Sequence, residues 1–166
     1  HRRVFVALTG GDEVDVAVLD AASGEVLRRV ELEGLGFPQS LVADEESGLM
    51  YVLYLLAPQY RQIAILDASG NVISVLPATL GRPLTSAQAM SWDSANRQLI
   101  VNDHNQLWSY APETGSWHVE SLPPRDEFAP VFGMSIDSSK GKVYVSGSAT
   151  GSWTSFDMAG NPSPAP

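Results

Sequence analysis

The chain has 166 residues, no cysteine, and a formal net charge of −9 from 10 basic and 19 acidic side chains. This length fits one domain with a buried core, and the absence of cysteine excludes disulfides, thiolate metal sites and a cysteine nucleophile. The acidic balance argues against nucleic-acid partners. No apolar run reaches the roughly 18 residues of a membrane helix, so no membrane insertion is expected.

The first predicted strands are four short apolar segments that recur along the chain. They read VFVA, MYVL, LIVN and VYVS at residues 4–7, 50–53, 99–102 and 143–146. Their second residues, at positions 5, 51, 100 and 144, lie 46, 49 and 44 positions apart. A nearly constant period of this length is typical of repeat architectures.

A second predicted strand follows each segment and leads into a turn that closes on glycine. These glycines are Gly24, Gly70, Gly115 and Gly160, spaced 46, 45 and 45 positions apart. Three of the turns begin with aspartate, whose carboxylate can accept the backbone N–H two residues on while glycine adopts positive φ. Such turns are hairpin connections, so consecutive strands are expected to pair antiparallel.

Two further strands complete the repeat. One precedes the apolar segment in three units and ends on Asp44, Asp93 or Asp137, and another follows the glycine turn at 26–32, 72–76 and 117–122. With strands labelled a to d outward from a central axis, the predicted order is bcd-abcd-abcd-abc. Four short antiparallel strands in 40–50 residues are typical of a β-propeller blade.

The predicted fold class is therefore all-β, with blades of four antiparallel strands. Residues 1–160 are predicted to form a partial propeller of about three and a half blades, with units near 1–32, 38–77, 87–122 and 131–160. The missing strands at both ends indicate a slice of a larger ring of six to eight blades, with sequence absent on both sides. Residues 161–166 alternate proline with serine and alanine, which predicts the start of an extended linker.

The first unit, residues 4–7 followed by VAVLDAASGEV at 16–26, resembles YVTN-type and NHL-like propeller repeats. In those families a YV-x-N strand precedes V-x-V-I-D-x-x-T/S-G-x-V, and Phe37-Pro38 fits the G-x-P that opens their innermost strand. The third unit departs from the pattern, with Pro112 in its turn. WD40 repeats fit less well, because Trp92-Asp93 ends a first strand rather than a third. The resemblance implies an architecture that hosts both binding proteins and enzymes.

Candidate binding residues lie in the predicted b–c and d–a loops, the face on which propellers of this kind bind ligands. They are Tyr60, Arg61, Arg82, His104, Arg125, Asp126, Glu127 and Phe128. Arginine beside an aromatic side chain suits contact with a protein or glycan partner. The alternative is that these are ordinary solvated loop residues.

The sequence gives weaker support for catalysis, metal binding and ligand stacking. Asp103-His104 could form a base with an orienting carboxylate, but no nucleophile motif accompanies the pair, so no catalytic residue is predicted. The acidic clusters at 12–15 and 44–46 lack the order of an EF-hand, so neither a metal nor a cofactor is predicted. The tryptophans at 92, 108, 117 and 153 lie in predicted strands, which favours packing between blades over ligand stacking.

The sequence thus predicts a non-enzymatic interaction or structural module within a larger extracellular or cell-envelope glycoprotein. Its expected partners are a protein or glycan on the loop face and the remaining blades of the same propeller. One alternative is the propeller portion of a quinoprotein-like, lactonase-like or peptidase-associated enzyme whose active site lies mostly outside this chain. A third possibility is that two copies of the chain assemble around one axis, but the strand count argues against simple closure, since each junction would leave an abc unit facing a bcd unit.

Overall fold

The computed structural model describes residues 2–10, 13–31, 36–57, 60–76, 84–104, 106–122, 131–147 and 153–162. These residues contain fourteen strands, arranged in antiparallel sheets of three or four, which confirms the predicted all-β class. Within the same residues, no helix has the length and apolar character needed to cross a membrane. The chain divides into two compact units, His1–Leu84 and Thr85–Pro166.

The first unit holds two antiparallel sheets. Sheet 1 has the order β1-β2-β3, with β1 at Arg3–Gly10, β2 at Glu13–Asp20 and β3 at Val26–Glu31. Sheet 2 has the order β4-β5-β6-β7, with β4 at Phe37–Asp44, β5 at Leu49–Ala57, β6 at Tyr60–Leu66 and β7 at Val72–Val75. Every neighbouring pair is antiparallel, as the hairpin turns predict.

The second unit repeats this arrangement. Sheet 3 places β8 (Ala89–Asp93), β9 (Gln98–Asp103), β10 (Gln106–Ala111) and β11 (Ser116–Ser121) side by side in chain order. Sheet 4 places β12 (Val131–Asp137), β13 (Lys142–Gly147) and β14 (Trp153–Asp157) side by side. The four sheets together reproduce the predicted strand order bcd-abcd-abcd-abc.

Sheets 1 and 2 pack face to face through a shared core. Its buried members are Val16, Val18 and Val30 from sheet 1 and Met50, Val52, Tyr54, Ala64 and Leu66 from sheet 2. These residues alternate along their strands, as expected when one face of a strand points into a core. Tyr51 and Leu53, on the other face of β5, are also fully buried, so sheet 2 is covered on both faces.

Sheets 3 and 4 share a second core of the same kind. Ala89, Ile100, Leu107 and Leu122 of sheet 3 lie in it with Val143, Val145 and Phe156 of sheet 4. Met134, Ile136 and Met158 pack against its margin. Each unit is therefore a pair of sheets joined by a layer of mostly aliphatic side chains, the kind of layer that holds antiparallel sheets together.

The predicted aspartate turns have the expected hydrogen bonds. The carboxylate of Asp67 accepts the backbone N–H groups of Ser69 and Asn71 at 2.8 and 2.9 Å. Asp157 holds Ala159 and Asn161 in the same way, at 3.0 and 2.8 Å. These bonds replace water as partner for the turn amides, which is the local reason for aspartate at the start of the turn.

One of the turns between strands a and b has a left-handed backbone conformation that sequence patterns alone do not reveal. Gly48 and Gly141 close two of these turns with φ of 72° and 61°, and Arg97 closes the third with φ of 52°. Left-handed φ is costly for a residue with a Cβ atom. The carboxylate of Asp93 compensates by accepting the Ala95 backbone N–H at 3.2 Å and the Asn96 side-chain amide at 2.7 Å.

The a–b turn of sheet 4 predicts a specific acid sensitivity. Hydrogen bonds from the side chains of Lys140 and Ser139 lower the pKa of Asp137 from 3.8 to about 2, and the Lys140 ammonium lies 2.8 Å from its carboxylate. Because the pKa of Asp137 is lower in the folded state than in the unfolded state, its carboxylate stabilises the fold at pH values above the unfolded-state pKa. This contribution is lost as the pH falls from about 4 towards 2. We expect a ¹³C NMR titration to show an Asp137 pKa near 2.

The Lys140→Ala variant tests the cause of that shift. Removing the ammonium should raise the Asp137 pKa towards its ordinary value and leave Asp67 unchanged, because the pKa of Asp67 is lowered by Asn71 instead. An Asp137 pKa that stays near 2 in Lys140→Ala would contradict the assignment.

Several strands are longer than predicted. β4 begins at Phe37 rather than after Pro38, and β6 already includes Tyr60 and Arg61. A bulge between Pro38 and Ser40 lets β4 continue past a residue that has no N–H to pair. Pro162 forms an isolated antiparallel bridge with Phe156. The linker at 161–166 stays a prediction, and residues 163–166 lie outside the described part of the chain.

Candidate functional site at the loop ends of the sheets

In the first unit, the start of β4, the end of β5 and the start of β6 meet at one end of sheet 2. Phe37 lies opposite Leu55 across the β4–β5 pair, and Leu55 lies opposite Arg61 across the β5–β6 pair. Neighbouring strands lie about 4.8 Å apart, so these three residues fall within about 10 Å. This is the b–c and d–a loop end, where the sequence predicts a binding face.

Three large apolar side chains are exposed at this end of sheet 2. Phe37 is 52% exposed, Leu56 is 42% exposed and Tyr60 is 50% exposed. We call these three residues the loop-end patch. Leu56 is exposed because a bulge between Leu55 and Ala57 takes it out of the regular alternation of β5.

The patch rests on a firmly held base. The Tyr54 hydroxyl donates a 2.6 Å hydrogen bond to Gln62, and burial raises the pKa of Tyr54. The backbone N–H of Arg61 donates to the carbonyl of Leu84 at 3.0 Å, forming an isolated bridge beside β6. These bonds hold the backbone on both sides of Tyr60 in β5 and β6.

In the second unit, the β9–β10 hairpin presents His104 at the loop end of sheet 3. His104 is exposed and has φ of 60°, a value that tight hairpin turns require. Asp103 is only 1% exposed, and its carboxylate accepts the backbone N–H groups of Ser86 and Thr85 at 2.6 and 3.3 Å. Asp103 thus anchors the segment that enters β8, which is a structural task.

Sheet 3 also carries an unusual buried amide. Asn102 is 2% exposed, and its Nδ2 atom has no hydrogen-bond partner among the residues that the structure describes. Its side chain shares a face with Ala89 and Leu107, which lie directly opposite it on the two flanking strands and belong to the apolar core of the second unit. Leu53 occupies the corresponding place in sheet 2.

We expect Asn102→Leu to stabilise the protein by about 1 kcal/mol, because it removes a buried donor that lacks a partner among the described residues and keeps the same number and branching of side-chain heavy atoms. Urea denaturation of both proteins measures the difference. Asn102→Ala separates the two effects, since it removes the donor but leaves a cavity. A lower midpoint for Asn102→Leu than for the wild type would show that the amide makes a stabilising bond.

The structure places three of the eight predicted binding residues. Tyr60 and Arg61 lie together in β6 rather than in a loop, and His104 lies in the β9–β10 turn. The other five, Arg82, Arg125, Asp126, Glu127 and Phe128, lie outside the described residues. Phe37 and Leu56 were not predicted from sequence. In the sequence each is only an apolar residue at a strand end, where Phe37 stands between a glycine and a proline and Leu56 lies at a bulge.

The other residues considered from sequence have ordinary structural surroundings. Trp108 is 1% exposed and lies edge-on to Trp117, with ring centres 6.2 Å apart. His118 lies on β11 with its Nε2 atom 2.7 Å from Glu120 Oε1. Across the part of the chain that the structure describes, no three histidine or acidic side chains are grouped so as to hold a metal ion.

Comparison with known proteins supports the fold but identifies no family. No protein-family model matches the sequence, and no curated protein sequence matches it. Solved structures do match. Hydrazine synthase of Kuenenia stuttgartiensis gives a TM-score of 0.68 at 15% identity, over 93% of this chain and 49% of that one. Dihydro-heme d1 dehydrogenase NirN in complex with DHE gives 0.69 at 17% identity, over 98% and 34%.

A third match is a chain in the crystal structure of a nidogen/laminin complex. It gives a TM-score of 0.70 at 13% identity, over 96% of this chain and 59% of that one. These neighbours are propeller proteins. The chain is built of β-propeller blades. It spans between about a third and three fifths of each matched structure. The resemblance to YVTN-type and NHL-like repeats is not confirmed by any family model and stays a prediction.

Proposed function

We propose that this chain is a non-enzymatic interaction module, the propeller segment of a larger extracellular or cell-envelope protein, and that the loop-end patch contacts its protein or glycan partner. The observation that carries the proposal is the exposure of Phe37, Leu56 and Tyr60 at one end of one sheet. Exposed aromatic side chains on a rigid base supply much of the binding energy in protein interfaces and stack on sugar rings in glycan sites.

The buried carboxylates support a binding role over a catalytic one. Asp44, Asp93 and Asp103 are each 3% exposed or less. Each accepts hydrogen bonds from backbone N–H groups of an adjoining turn or strand entry. These carboxylates stabilise the blades, and such bonds occupy the lone pairs that a general base would use.

The proposed setting has two supports. Alternating proline with serine and alanine at 161–166 is similar to segments of hydroxyproline-rich extracellular glycoproteins. One structural neighbour was solved in a complex between two proteins, nidogen and laminin. Both agree with a module that works by presenting a surface to another molecule.

The test compares patch and control variants of the same sheet. The purified chain is screened against a glycan array and a panel of purified extracellular-matrix proteins, and the affinity of each binder is measured by biolayer interferometry. The combined variant Phe37→Ala, Leu56→Ala, Tyr60→Ala should weaken binding at least tenfold, since centrally placed anchor residues contribute 2 kcal/mol or more. Circular dichroism confirms that the variant still folds.

The matched control removes exposed apolar groups elsewhere on sheet 2. Val72, Ile73 and Val75 of β7 are 42%, 55% and 39% exposed. Their combined replacement by alanine should change affinity less than twofold. If the β7 variant loses binding and the patch variant keeps it, the binding surface is the outer edge of the blade and not the loop end.

The alternative is the propeller portion of an enzyme, a role that hydrazine synthase and dihydro-heme d1 dehydrogenase illustrate for this fold. It makes a different prediction for the same chain. A chain that binds no glycan or protein of the panel, but binds a quinone or a lactone with loss of affinity in the patch variant, would favour the enzymatic role over the one proposed.

A further inference from the structure

The facing sides of sheets 1 and 2 are closed over β6 and open over β7. Val72 and Val75 lie opposite Leu66 and Ala64 in the β6–β7 pair, so their side chains point to the face of sheet 2 that packs on sheet 1. Leu66 and Ala64 are fully buried there, whereas Val72 is 42% and Val75 is 39% exposed. Sheet 1 therefore covers β6 and leaves the apolar row of β7 open.

The outer strand of sheet 1 lies beside this open row. Among the described strands, β3 is the last of sheet 1, and one of its edges has no neighbouring strand. Arg28 of β3 lies opposite Val18, a member of the shared core, so its side chain points towards sheet 2. Its Nη1 atom donates to Asn71 Oδ1 at 2.6 Å, and Asn71 directly precedes Val72. We call Arg28, Val72 and Val75 the β7 ledge.

Arg28 uses its hydrogen bonds on uncharged groups. It donates to the Asn71 side chain and, at 3.4 Å, to the Ser69 carbonyl oxygen. Asp67 lies within reach of its charge, and the pKa of Asp67 is lowered mainly by hydrogen bonds from Asn71 and in smaller part by Arg28. The Asp67 carboxylate is occupied by the amides of its own turn. The guanidinium group thus keeps donors for a carboxylate from another molecule.

The other charged residues of β3 point away from the ledge. Arg29 and Glu31 lie opposite Ala17 and Asp15, on the side of sheet 1 that does not face sheet 2. Arg29 is 3.9 Å from the Asp15 carboxylate there. In a chain of net charge −9, the β7 ledge therefore combines a single positive charge with exposed aliphatic groups.

A free strand edge beside an apolar floor defines the kind of molecule that fits. The unpaired backbone groups of β3 can bond to water or to another extended strand. Neighbouring strands lie about 4.8 Å apart, so a segment added to β3 would extend over β7 the cover that sheet 1 gives to β6. Its side chains on that side would contact Val72 and Val75, and the one beside Arg28 should be a carboxylate, because a cation there would be repelled.

We propose that the β7 ledge binds an extended segment of a partner protein, which pairs with the free edge of β3 and places aliphatic side chains on Val72 and Val75 and a carboxylate at Arg28. Strand addition of this kind takes affinity from main-chain hydrogen bonds and specificity from alternate side chains. The inference goes beyond the proposed function, because the loop-end patch lies at the strand ends of sheet 2 and is a separate surface.

The proline-rich segment of this chain does not have the required chemistry. Residues 161–166 carry no acidic side chain, and three of the six are proline. Proline has no N–H group to donate to a strand edge. The occupant is therefore a segment of another protein that alternates aliphatic residues and carries an acidic one.

An array of heptapeptides tests this specificity. Threonine occupies the odd positions, and the second, fourth and sixth positions are varied among valine, leucine, glutamate and lysine. The labelled chain should bind most strongly to peptides with two aliphatic residues and one glutamate at the second or sixth position. Lysine in place of that glutamate should weaken binding about tenfold or more. Binding to none of the peptides, or equal binding of the glutamate and lysine peptides, would overturn the proposal.

Two matched pairs of variants locate this binding on the ledge. Arg28→Met should weaken the best peptide about tenfold and remove the salt dependence of its affinity, whereas Arg29→Met should change affinity less than about twofold. Since Arg28 also holds the turn at Asn71, a second pair avoids that contact. The combined variant Val72→Ser, Val75→Ser should weaken binding about tenfold, and Ile73→Ser, at the bulge of the same strand, less than about twofold. Equal effects within the second pair would contradict the ledge as the binding surface.

Two further measurements distinguish the ledge from other modes of binding. The combined alanine variant of the loop-end patch should bind the peptides as the wild type does, and a loss in that variant would place the peptides on the patch instead. Sedimentation equilibrium of the chain alone should give a mass that the Val72→Ser, Val75→Ser variant does not change. A wild-type dimer that this variant dissociates would show that a second copy occupies the ledge and would overturn the proposal.

Discussion

Replacing Gly36 by alanine is expected to cost about 3 kcal/mol of unfolding free energy. Gly36 has φ of 70°, and a Cβ atom built on it would lie 1.9 Å from the Leu55 carbonyl oxygen and 2.8 Å from its carbon. Both contacts are with backbone, so no side-chain rotation relieves them. The chain would have to move β4 away from β5 just where Phe37 and Pro38 begin to pair.

Gly24→Ala is the matched control for the conformational part of this cost. Gly24 has φ of 72°, and a Cβ atom there would meet nothing within 4 Å. Its substitution should cost about 1 kcal/mol, the penalty of left-handed φ alone. Urea denaturation followed by tryptophan fluorescence measures both variants. Equal losses at the two sites would show that the close approach of Gly36 to β5 does not exist in solution.

The second large effect is expected for Leu66→Ala, at about 3 kcal/mol. Leu66 is fully buried in the core that joins sheets 1 and 2, beside Val18 and Met50. Truncation to alanine removes three carbon atoms and leaves a cavity between two sheets that are each held by their own hydrogen bonds. Such sheets cannot close the gap freely, so most of the cavity cost should remain.

Leu19→Ala gives a control with identical chemistry at the corresponding position of sheet 1. Leu19 lies on the face of sheet 1 that points away from this core and is only half-buried. Its truncation should cost about 1 kcal/mol or less. Thermal and urea denaturation of the two variants measure the contrast. Similar losses for Leu19→Ala and Leu66→Ala would mean that Leu19 is buried as deeply as Leu66.

The strand order was predictable from sequence because its signals are local. Each glycine turn and each terminal aspartate of a strand is specified by residues within one hairpin, and the turns at Asp67 and Asp157 show the expected bonds. The a–b turn of sheet 3 gives no such signal, because Arg97 adopts left-handed φ there without a glycine to mark it. Strand ends were also misplaced, since bulges let β4 and β6 extend into the predicted loops.

The candidate site was predictable only in part. Tyr60 and Arg61 could be assigned to the loop end because any b–c connection in this repeat points there. The exposure of Phe37 and Leu56 could not be foreseen, since it depends on a bulge and on how neighbouring strands cover each side chain. Asn102 is a similar case, because its amide is buried between Ala89 and Leu107, which lie on two other strands of sheet 3.

By itself, then, the sequence determined the β-propeller repeat, its fourteen strands and the chemistry of its turns, since periodicity and turn residues act over a few neighbouring positions. Only the tertiary structure decided which faces are covered. Val4 and Val52 belong to nearly identical strand patterns, yet Val4 is 46% exposed and Val52 is fully buried. The difference comes from a neighbouring sheet, and no property of the strand's own residues encodes whether such a sheet is present.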